Sequence, residues 1–328
     1  MFMTEKPKCK YTSPDEQQCQ EVDMGTGFCF WHDEKFDKSG LDLKDKLERY
    51  AKSGGLLRGL KLKRSILDGL NLVKRGSKEG YDLSESDFYR ASLKGAHLFN
   101  TKIENASLMK ANLKGANLHC CSLLNTNLLG IKLFSARIDN IKIGTNILQQ
   151  KQAKSAIKEG KLDVALDYYE QSEEIYRDLR KAAEFQGLFE LSGKFTHQEL
   201  IMRRYRYPKW SKRRIFSKFI DVLCGYGEKP LNVIFFSLSL IFCCAILYFI
   251  FGVSYANDII GFSLDNSVSD NFSALLNSLY FSIVTFTTLG YGDITPVGLS
   301  RLIAACEAFS GSFTLALFVV VFVKKLTR

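Results

Sequence analysis

The sequence lacks the residue groups that most enzymes need for catalysis. Its 328 residues include four histidines, and none of them forms a recognisable nucleophile–base set with a serine or cysteine. A phosphate loop of the G-x-x-x-x-G-K-[ST] type is also missing from the sequence. We therefore expect that the protein is not an enzyme.

The N-terminal part of the chain lacks a signal peptide, because no apolar run follows its first lysines. Residues 231–328 contain four Lys or Arg against five Asp or Glu, so the net charge of +10 comes from residues 1–230. We expect this basic, hydrophilic part to stay in the cytoplasm. The nine cysteines are then expected as thiols or metal ligands rather than disulfides.

Two long segments are almost free of charge. Residues 231–253 carry none, and residues 302–323 carry only Glu307. A bilayer core about 30 Å thick needs roughly 20 apolar residues in a helix, so both segments are long enough to span a membrane. Neither contains regularly spaced arginines, which argues against voltage sensing by a charged helix.

A short glycine motif lies between the two spans. Residues 273–286 are too few to cross a bilayer, and they lead into the sequence T-L-G-Y-G-D at residues 288–293. Gly290 and Gly292 reach positive φ without steric cost, so that successive carbonyl groups can turn to one side. Irregular backbone at membrane depth is tolerated only where it lines a wet cavity or is buried in protein. The motif therefore predicts a re-entrant loop that lines a pore.

The order of span, short helix, Thr-x-Gly-Tyr-Gly motif and second span resembles the pore domain of potassium channels, over residues 231–328. The resemblance implies K⁺ as the permeant ion and a homotetramer, since four chains supply the rings of carbonyl oxygens. It implies a pore helix at residues 273–286 and a supporting role for Asp293 behind the filter mouth. The ion-binding residues that it implies are Thr288, Leu289, Gly290, Tyr291 and Gly292.

Two residues of the second span are further candidates. Glu307 should face protein or water rather than lipid, and we expect it to support the filter. Arg301 is a poor direct partner because it lies six residues away on the same helix, and an adjacent chain could supply a partner instead. Gly311 lies where the inner helices of similar channels often carry a gating hinge. Close helix packing is an equally good interpretation of Gly311.

Residues 279–281 read Leu-Tyr-Phe where many potassium channels carry tryptophans, and Leu289 replaces the commoner valine. These departures leave a weakly selective cation channel open as an alternative. A membrane-anchored scaffold that binds a partner through its N-terminal repeats is a second alternative. A potassium transporter subunit is disfavoured, because such proteins carry four filter-like repeats in one chain and this sequence has one.

Residues 1–45 contain a candidate metal site. Cys9, Cys19, Cys29 and His32 follow the pattern C-x9-C-x9-C-x2-H, which supplies three thiolates and one imidazole for a closed tetrahedral zinc set. The spacing loosely resembles Cys-Cys-Cys-His zinc modules. The alternative is a disordered segment with unrelated cysteines.

Residues 54–148 carry a five-residue repeat, which suits neither a 3.6-residue helix nor a two-residue strand. Every fifth residue is large and apolar, and a small residue often lies two positions before it. The repeat resembles the pentapeptide-repeat family, which implies a right-handed, four-sided β-helix with Cys121 in an inward, packed position. Residues 74–80 break an earlier run with the same step. The large apolar positions are Leu83, Phe88, Leu93, Leu98, Ile103, Leu108, Leu113, Leu118, Leu123, Leu128, Leu133, Ile138, Ile143 and Leu148.

Residues 149–230 lose this repeat and predict a helical linker with breaks at Gly160 and Gly187. Basic residues then dominate residues 203–229, where apolar residues recur at helical spacing. This pattern predicts an amphipathic helix on the anionic inner leaflet of the membrane. Nucleic-acid binding is the disfavoured alternative.

The sequence thus predicts a multi-domain membrane protein: a quadrilateral β-helix, an α-helical linker and an all-α, two-span tetrameric pore with a re-entrant helix. The basic residues before the first span and at residues 324–328 place both termini in the cytoplasm. The loop between the spans is acidic and should face outward. We expect the cytoplasmic part to regulate or assemble the pore.

Overall fold

The computed structural model describes residues 7–256 and 258–327. Residues 1–6 and 328, at the ends of the predicted 1–45 and 231–328 regions, lie outside the described residues, as does residue 257. The chain forms two compact units, Met1–Ser211 and Lys212–Arg328. The first contains the cysteine cluster, the repeats and three long helices, and the second contains both apolar spans.

Parallel backbone bridges stack the five-residue repeats of the first unit on one another. Asp82 pairs with Lys102, and Lys102 pairs in turn with Ser122, so that partners lie twenty residues apart. Twenty residues are four repeats, and each coil therefore has four sides with one repeat on each. The predicted quadrilateral β-helix is confirmed.

Each side of a coil directs one large and one small side chain inward. The twelve large residues from position 83 to position 138 are at most 6% exposed, and Cys121 is fully buried among the small ones. The residue two positions after each large one turns the corner with positive φ, as Asn100 and Asn105 do. Asparagine tolerates that conformation better than most residues. The packed position predicted for Cys121 is confirmed.

The predicted break in the repeat is a loop inserted into one coil of the β-helix. Before it, Lys61 pairs with Asp87, which lies twenty-six residues further along the chain rather than twenty. Six additional residues therefore enter the coil near residues 74–80.

The repeats end earlier than the sequence predicts, and a segment that precedes them pairs with their first coil. Asp42 of this segment pairs with Ile66, and helix α1 (Lys44–Lys52) follows it. At the other end, Leu148 is the first residue of helix α2 rather than an inward repeat position. The cause is a helix cap, because the backbone N–H of Ile147 donates to Oε1 of Gln150 at 2.9 Å.

Three helices cover the last coil of the β-helix and share its core. They are α2 (Leu148–Lys158), α3 (Leu162–Phe185) and α4 (Phe189–Tyr205). Gly160 and Gly187 separate them with positive φ, so both predicted breaks are confirmed. Nε2 of Gln186 donates to the carbonyl oxygen of Ala136 at 2.6 Å, which ties the α3 end to the coil.

A buried glutamate of α3, Glu173, binds two arginines at the C-terminal end of α4. Glu173 accepts hydrogen bonds from Arg203 at 3.0 Å and from Arg206 at 2.8 Å. Burial alone would raise the pKa of Glu173, but the bonds from Arg206 and Arg203 hold it below its usual range. The segment 203–229 that we predict to face lipid begins with these two arginines, whose charges pair with Glu173 within the first unit.

The described residues of the second unit form four α-helices, a short 3-10 helix at Gly225–Gly227 and one small sheet. The helices are α5 (Lys212–Cys224), α6 (Pro230–Phe251), α7 (Val268–Phe286) and α8 (Ser300–Leu326). By length and composition, α6 and α8 can cross a membrane. The antiparallel sheet has the order β2-β1-β3, with β1 at Val253–Tyr255, β2 at Asp258–Ile260 and β3 at Ile294–Pro296.

Helix α7 occupies the predicted pore-helix region but starts five residues earlier. Ser267 caps it, since its hydroxyl oxygen accepts the backbone N–H of Asp270 at 3.1 Å. The end at Phe286 is where the sequence predicts it. Helices α6, α7 and α8 pack together, and Phe281 of α7 lies in a core with Tyr248 of α6.

Candidate pore and metal site

The glycine motif follows the end of α7 without an intervening loop. The backbone N–H groups of Thr288 and Leu289 donate to the carbonyl oxygens of Thr285 and Val284, both at 3.0 Å. These bonds extend the hydrogen bonding of the helix into the first residues of the motif. They fix the direction in which the chain leaves the helix.

The backbone of the motif alternates in hand. Thr288, Gly290 and Gly292 have φ of 58°, 58° and 79°, whereas Leu289 and Tyr291 do not adopt positive φ. A Cβ atom added to either glycine would meet nothing within 4 Å, so the need for glycine there is conformational. This alternation is the geometry that allows consecutive carbonyl oxygens to line one side of the chain.

The outer end of the motif lies beside the pore helix. The carboxylate of Asp293 is close enough to the hydroxyl of Tyr280 in α7 to interact with it electrostatically. Tyr280 belongs to the Leu-Tyr-Phe sequence that stands where many potassium channels have tryptophans. A phenol hydroxyl therefore lies next to Asp293 at this position. The sequence predicts Asp293 as a filter support but does not identify Tyr280 as its neighbour.

Glu307 lies at the centre of a polar network among the three packed helices. It is 2% exposed, and its carboxylate accepts from the hydroxyl of Tyr248 at 2.6 Å and from that of Ser282 at 2.5 Å. Cys244 lies in the same buried cluster as Tyr248. The carboxylate thus joins α6 and α7 to α8, and it braces the pore helix rather than the filter strand itself.

Arg301, which the sequence disfavours as a direct partner of Glu307, makes a different contact. Arg301 instead donates through Nε to the carbonyl oxygen of Pro296 at 3.3 Å. Six residues of separation along one helix keep Arg301 off the face that carries Glu307. Sequence reasoning also missed Tyr248 and Ser282, because a hydroxyl inside an apolar run carries no periodic signal.

Helices α8 and α7 approach each other closely at Gly311. A Cβ atom at this position would overlap the carbonyl oxygen of Phe286, the last residue of α7. The structure thus gives Gly311 a packing role next to the start of the filter. Its role as a gating hinge stays a prediction, and α8 runs as one helix through this residue.

The small sheet fixes the segment that follows the filter. Strand β3 pairs with β1, so that Ile294 lies opposite Tyr255. The hydroxyl of Ser300 donates to the carbonyl oxygen of Gly252 at 2.7 Å, which joins the start of α8 to the end of α6. The motif is therefore held by regular structure on both sides.

The four candidate metal ligands come together in the first unit. Cys9, Cys19, Cys29 and His32 are all buried, and their ligand atoms lie within 4.8 Å of one another. Sγ of Cys19 is 3.8 Å from Sγ of Cys29, and Nδ1 of His32 is 3.7 Å from Sγ of Cys9 and 3.2 Å from Sγ of Cys29. Zinc–ligand bonds of about 2.3 Å to sulfur and 2.0–2.1 Å to nitrogen at tetrahedral angles predict separations near 3.8 and 3.6 Å. The cluster therefore fits a tetrahedral metal ion.

The surroundings of the cluster orient its ligands for a metal. Nε2 of His32 lies 2.8 Å from the carbonyl oxygen of Arg58. Donation from Nε2 leaves the lone pair of Nδ1 facing the thiols. The backbone N–H groups of His32 and Asp33 donate to the carbonyl oxygen of Cys29 at 3.1 and 3.0 Å, which fixes the turn between the two ligands Cys29 and His32.

Two family models match separate regions of the chain. Residues 238–328 match the family described as ion channel, and residues 80–115 match pentapeptide repeats in eight copies. The chain therefore carries an ion channel domain with two candidate membrane helices at its C-terminal end. Its N-terminal unit contains a pentapeptide-repeat β-helix.

Curated relatives cover only a small part of the chain. Protein LctB of Bacillus caldotenax is 51% identical over 47 residues, which are 14% of this chain and 35% of that protein. Protein LctB of Geobacillus stearothermophilus is 45% identical over 49 residues, or 15% of this chain and 37% of that protein. The chain thus spans about a third of the length of these relatives.

Solved structures similar to this chain include two pentapeptide repeat proteins of cyanobacteria. Alr5209 from Nostoc PCC 7120 is 23% identical, with 35% of this chain and 95% of that chain covered and a TM-score of 0.20. Rfr23 from Cyanothece 51142 is 23% identical, with 32% and 98% covered and a TM-score of 0.17.

Replacing Gly311 by alanine should destabilise the second unit by about 1–3 kcal/mol, the usual cost of overpacking a close contact. The added methyl group would displace the end of α7 and, with it, the start of the filter. Thermal unfolding of the detergent-solubilised protein measures the effect. Ser312→Ala on the exposed side of the same helix turn is the control, and equal stability of the two variants would contradict the packing role.

Proposed function

We propose that the protein is a potassium-selective channel subunit that conducts K⁺ passively down its electrochemical gradient. The observation that carries this proposal is the alternating backbone of residues 288–292. Carbonyl oxygens arranged by that backbone replace the water of a dehydrated K⁺. The hydroxyl of Thr288 adds a ligand at the inner end of the filter. No enzymatic activity is part of the proposal.

A single chain supplies one strand of the filter, so we propose a homotetramer around the pore axis. Two neighbouring levels of four carbonyls provide the roughly eight oxygens that K⁺ needs. Leu289 and Tyr291 are 60% and 67% exposed in a single chain, which leaves their side chains available to neighbouring subunits.

The charge distribution supports an inward position for both termini. Lys324 and Lys325 end helix α8, and basic residues of this kind favour the cytoplasmic side. Asp258, Asp265 and Asp270 lie between the spans and would face outward, where they raise the local cation concentration. The C-terminal end of α7 carries the negative end of the helix dipole, which would stabilise a cation in the cavity.

Helix α5 is the part of the basic segment that we propose to lie on the inner leaflet. Its residues Leu223 and Cys224 pack with Val233 of α6 and Val321 of α8. Ile220 packs against the same cluster, whereas the apolar side chains of Ile215, Phe216, Phe219 and Val222 are exposed. Lys and Arg beside exposed apolar residues suit an interfacial helix on anionic lipids, and no nucleic-acid role is proposed.

We further propose that Cys9, Cys19, Cys29 and His32 hold a structural Zn²⁺. Three sulfurs and one nitrogen at tetrahedral separations suit zinc better than the hard cations, which prefer oxygen. The four protein ligands fill the coordination sphere, so the ion would stabilise the fold rather than activate water. The first unit as a whole would regulate or assemble the pore.

Purified protein in liposomes should pass K⁺ much faster than Na⁺, and Gly290→Ala should abolish this flux. Gly298→Ala is a matched control, because Gly298 also has positive φ and open space around its Cβ position but lies outside the filter. Non-selective flux would support a weakly selective cation channel instead. No flux of either ion in any tested condition would favour the anchored scaffold.

Removal of residues 1–211 should leave a conducting pore with an altered open probability. The remaining residues form the second compact unit, Lys212–Arg328. Single-channel recording of the truncated and full-length proteins in planar bilayers measures the difference. An unchanged open probability together with unchanged assembly would contradict a regulatory or assembling role for the first unit.

A further inference from the structure

Residues 7–43, which we term the edge cap, cover the exposed backbone edge of the first β-helix coil. The N–H of Lys61 donates to the carbonyl oxygen of Trp31 at 2.8 Å. The N–H of Ile66 donates to Leu41 at 2.9 Å, and Ile66 accepts from Leu43 at 3.0 Å. An uncovered edge of this kind is ready to pair with another chain, so its covering has to be secured.

The metal cluster lies inside the edge cap and is bonded directly to the coil below. His32, one of the four ligands, contacts the Arg58 carbonyl oxygen through Nε2. The guanidinium of the same arginine pairs with Asp15 of the edge cap and with Glu85 of the next coil, the latter at 3.0 Å. Arg58 therefore links the ligand, the cap and two coils.

An aromatic ring makes a second link between a ligand and the coil. Tyr11 stacks on His32, with ring centroids 4.1 Å apart and planes 9° apart. The same ring lies on Gly59 of the first coil, where a Cβ atom would overlap it. The hydroxyl of Tyr11 donates to Glu85 at 3.2 Å. The position of His32 is thus coupled to Gly59 through one rigid side chain.

The edge cap has little regular secondary structure of its own. Residues 7–43 form no helix or strand, their internal β-bridges are Lys8–Val22 and Thr12–Gln18, and their other internal backbone hydrogen bonds belong to turns and loops. Segments this small usually need a metal or a disulfide to fold, and all three of its cysteines are free. Four ligands that converge from residues 9, 19, 29 and 32 would supply the missing constraint.

We propose that metal occupancy of this cluster controls whether the edge cap stays closed on the first coil. The inference rests on the proposed zinc site and adds a consequence to it. Loss of Zn²⁺ releases His32 and the three thiols, and the edge at Lys61 and Ile66 opens. Arg58 and Tyr11 are the positioning residues that transmit occupancy to the coil.

Hydrogen exchange of the full-length protein, with and without Zn²⁺, tests this inference. Zinc content is first measured by mass spectrometry of the metal, then Zn²⁺ is removed with a chelator and added back. Exchange should rise severalfold or more in peptides covering residues 57–72 and return with Zn²⁺. Peptides covering residues 103–128 in the middle coils serve as the internal control and should not change.

The outcomes separate the two proposals. If the protein binds no Zn²⁺, the zinc site fails and this inference fails with it. If Zn²⁺ binds stoichiometrically but its removal leaves exchange at residues 57–72 unchanged, the zinc site stands and the inference is overturned. Equal increases in both sets of peptides would mean general unfolding and would also overturn it.

A pair of glycine variants tests the link through Tyr11. Gly59 and Gly69 occupy the same corner position of the repeat, with φ of 70° and 68°. Gly59→Ala displaces Tyr11, whereas a Cβ atom on Gly69 comes no closer than 4.0 Å to Lys44. Gly59→Ala should lose Zn²⁺ to a competing chelator about tenfold faster or more, the usual effect of changing an outer-shell partner. Equal rates for the two variants would contradict the coupling.

Discussion

The backbone of residues 288–292 imposes the constraint on which the pore unit depends. Positive φ at every second residue is easy for Gly290 and Gly292 but unfavourable for Thr288, which is β-branched. Such a conformation persists only where the surroundings hold it firmly. The end of α7 does so directly, through the backbone bonds at Thr288 and Leu289. In the proposed channel this held conformation is what presents oxygens to K⁺.

The contacts around the filter explain how the rest of the second unit holds that segment. Asp293 lies beside a hydroxyl group of α7, and Glu307 joins α7 to both spans through hydroxyl groups. Gly311 lets α8 approach the last carbonyl of α7. A shift of any one helix would break a buried hydrogen bond or a close contact. The pore helix is therefore fixed from three directions, without the tryptophans that many similar channels use.

Periodic features of this fold could be predicted from the sequence, and contacts between distant residues could not. The five-residue step predicts the inward side chains, and uncharged runs predict both spans, because each pattern reports one local geometry. Ligand spacing predicts which residues of the cysteine cluster meet. Nothing periodic marks Tyr248 as a partner of Glu307, or Glu173 as the partner that occupies Arg206. The edge cap likewise depends on backbone hydrogen bonds, which cannot be predicted from the types of the side chains.

The stoichiometry of the purified protein is the most direct measurement of the central claim. A single filter strand cannot surround an ion, so a K⁺ site made from residues 288–292 requires four chains about one axis. Native mass spectrometry of the protein released from detergent should give the mass of four 37.2 kDa chains. A monomer or dimer as the largest species under conditions that preserve K⁺ flux would contradict the account.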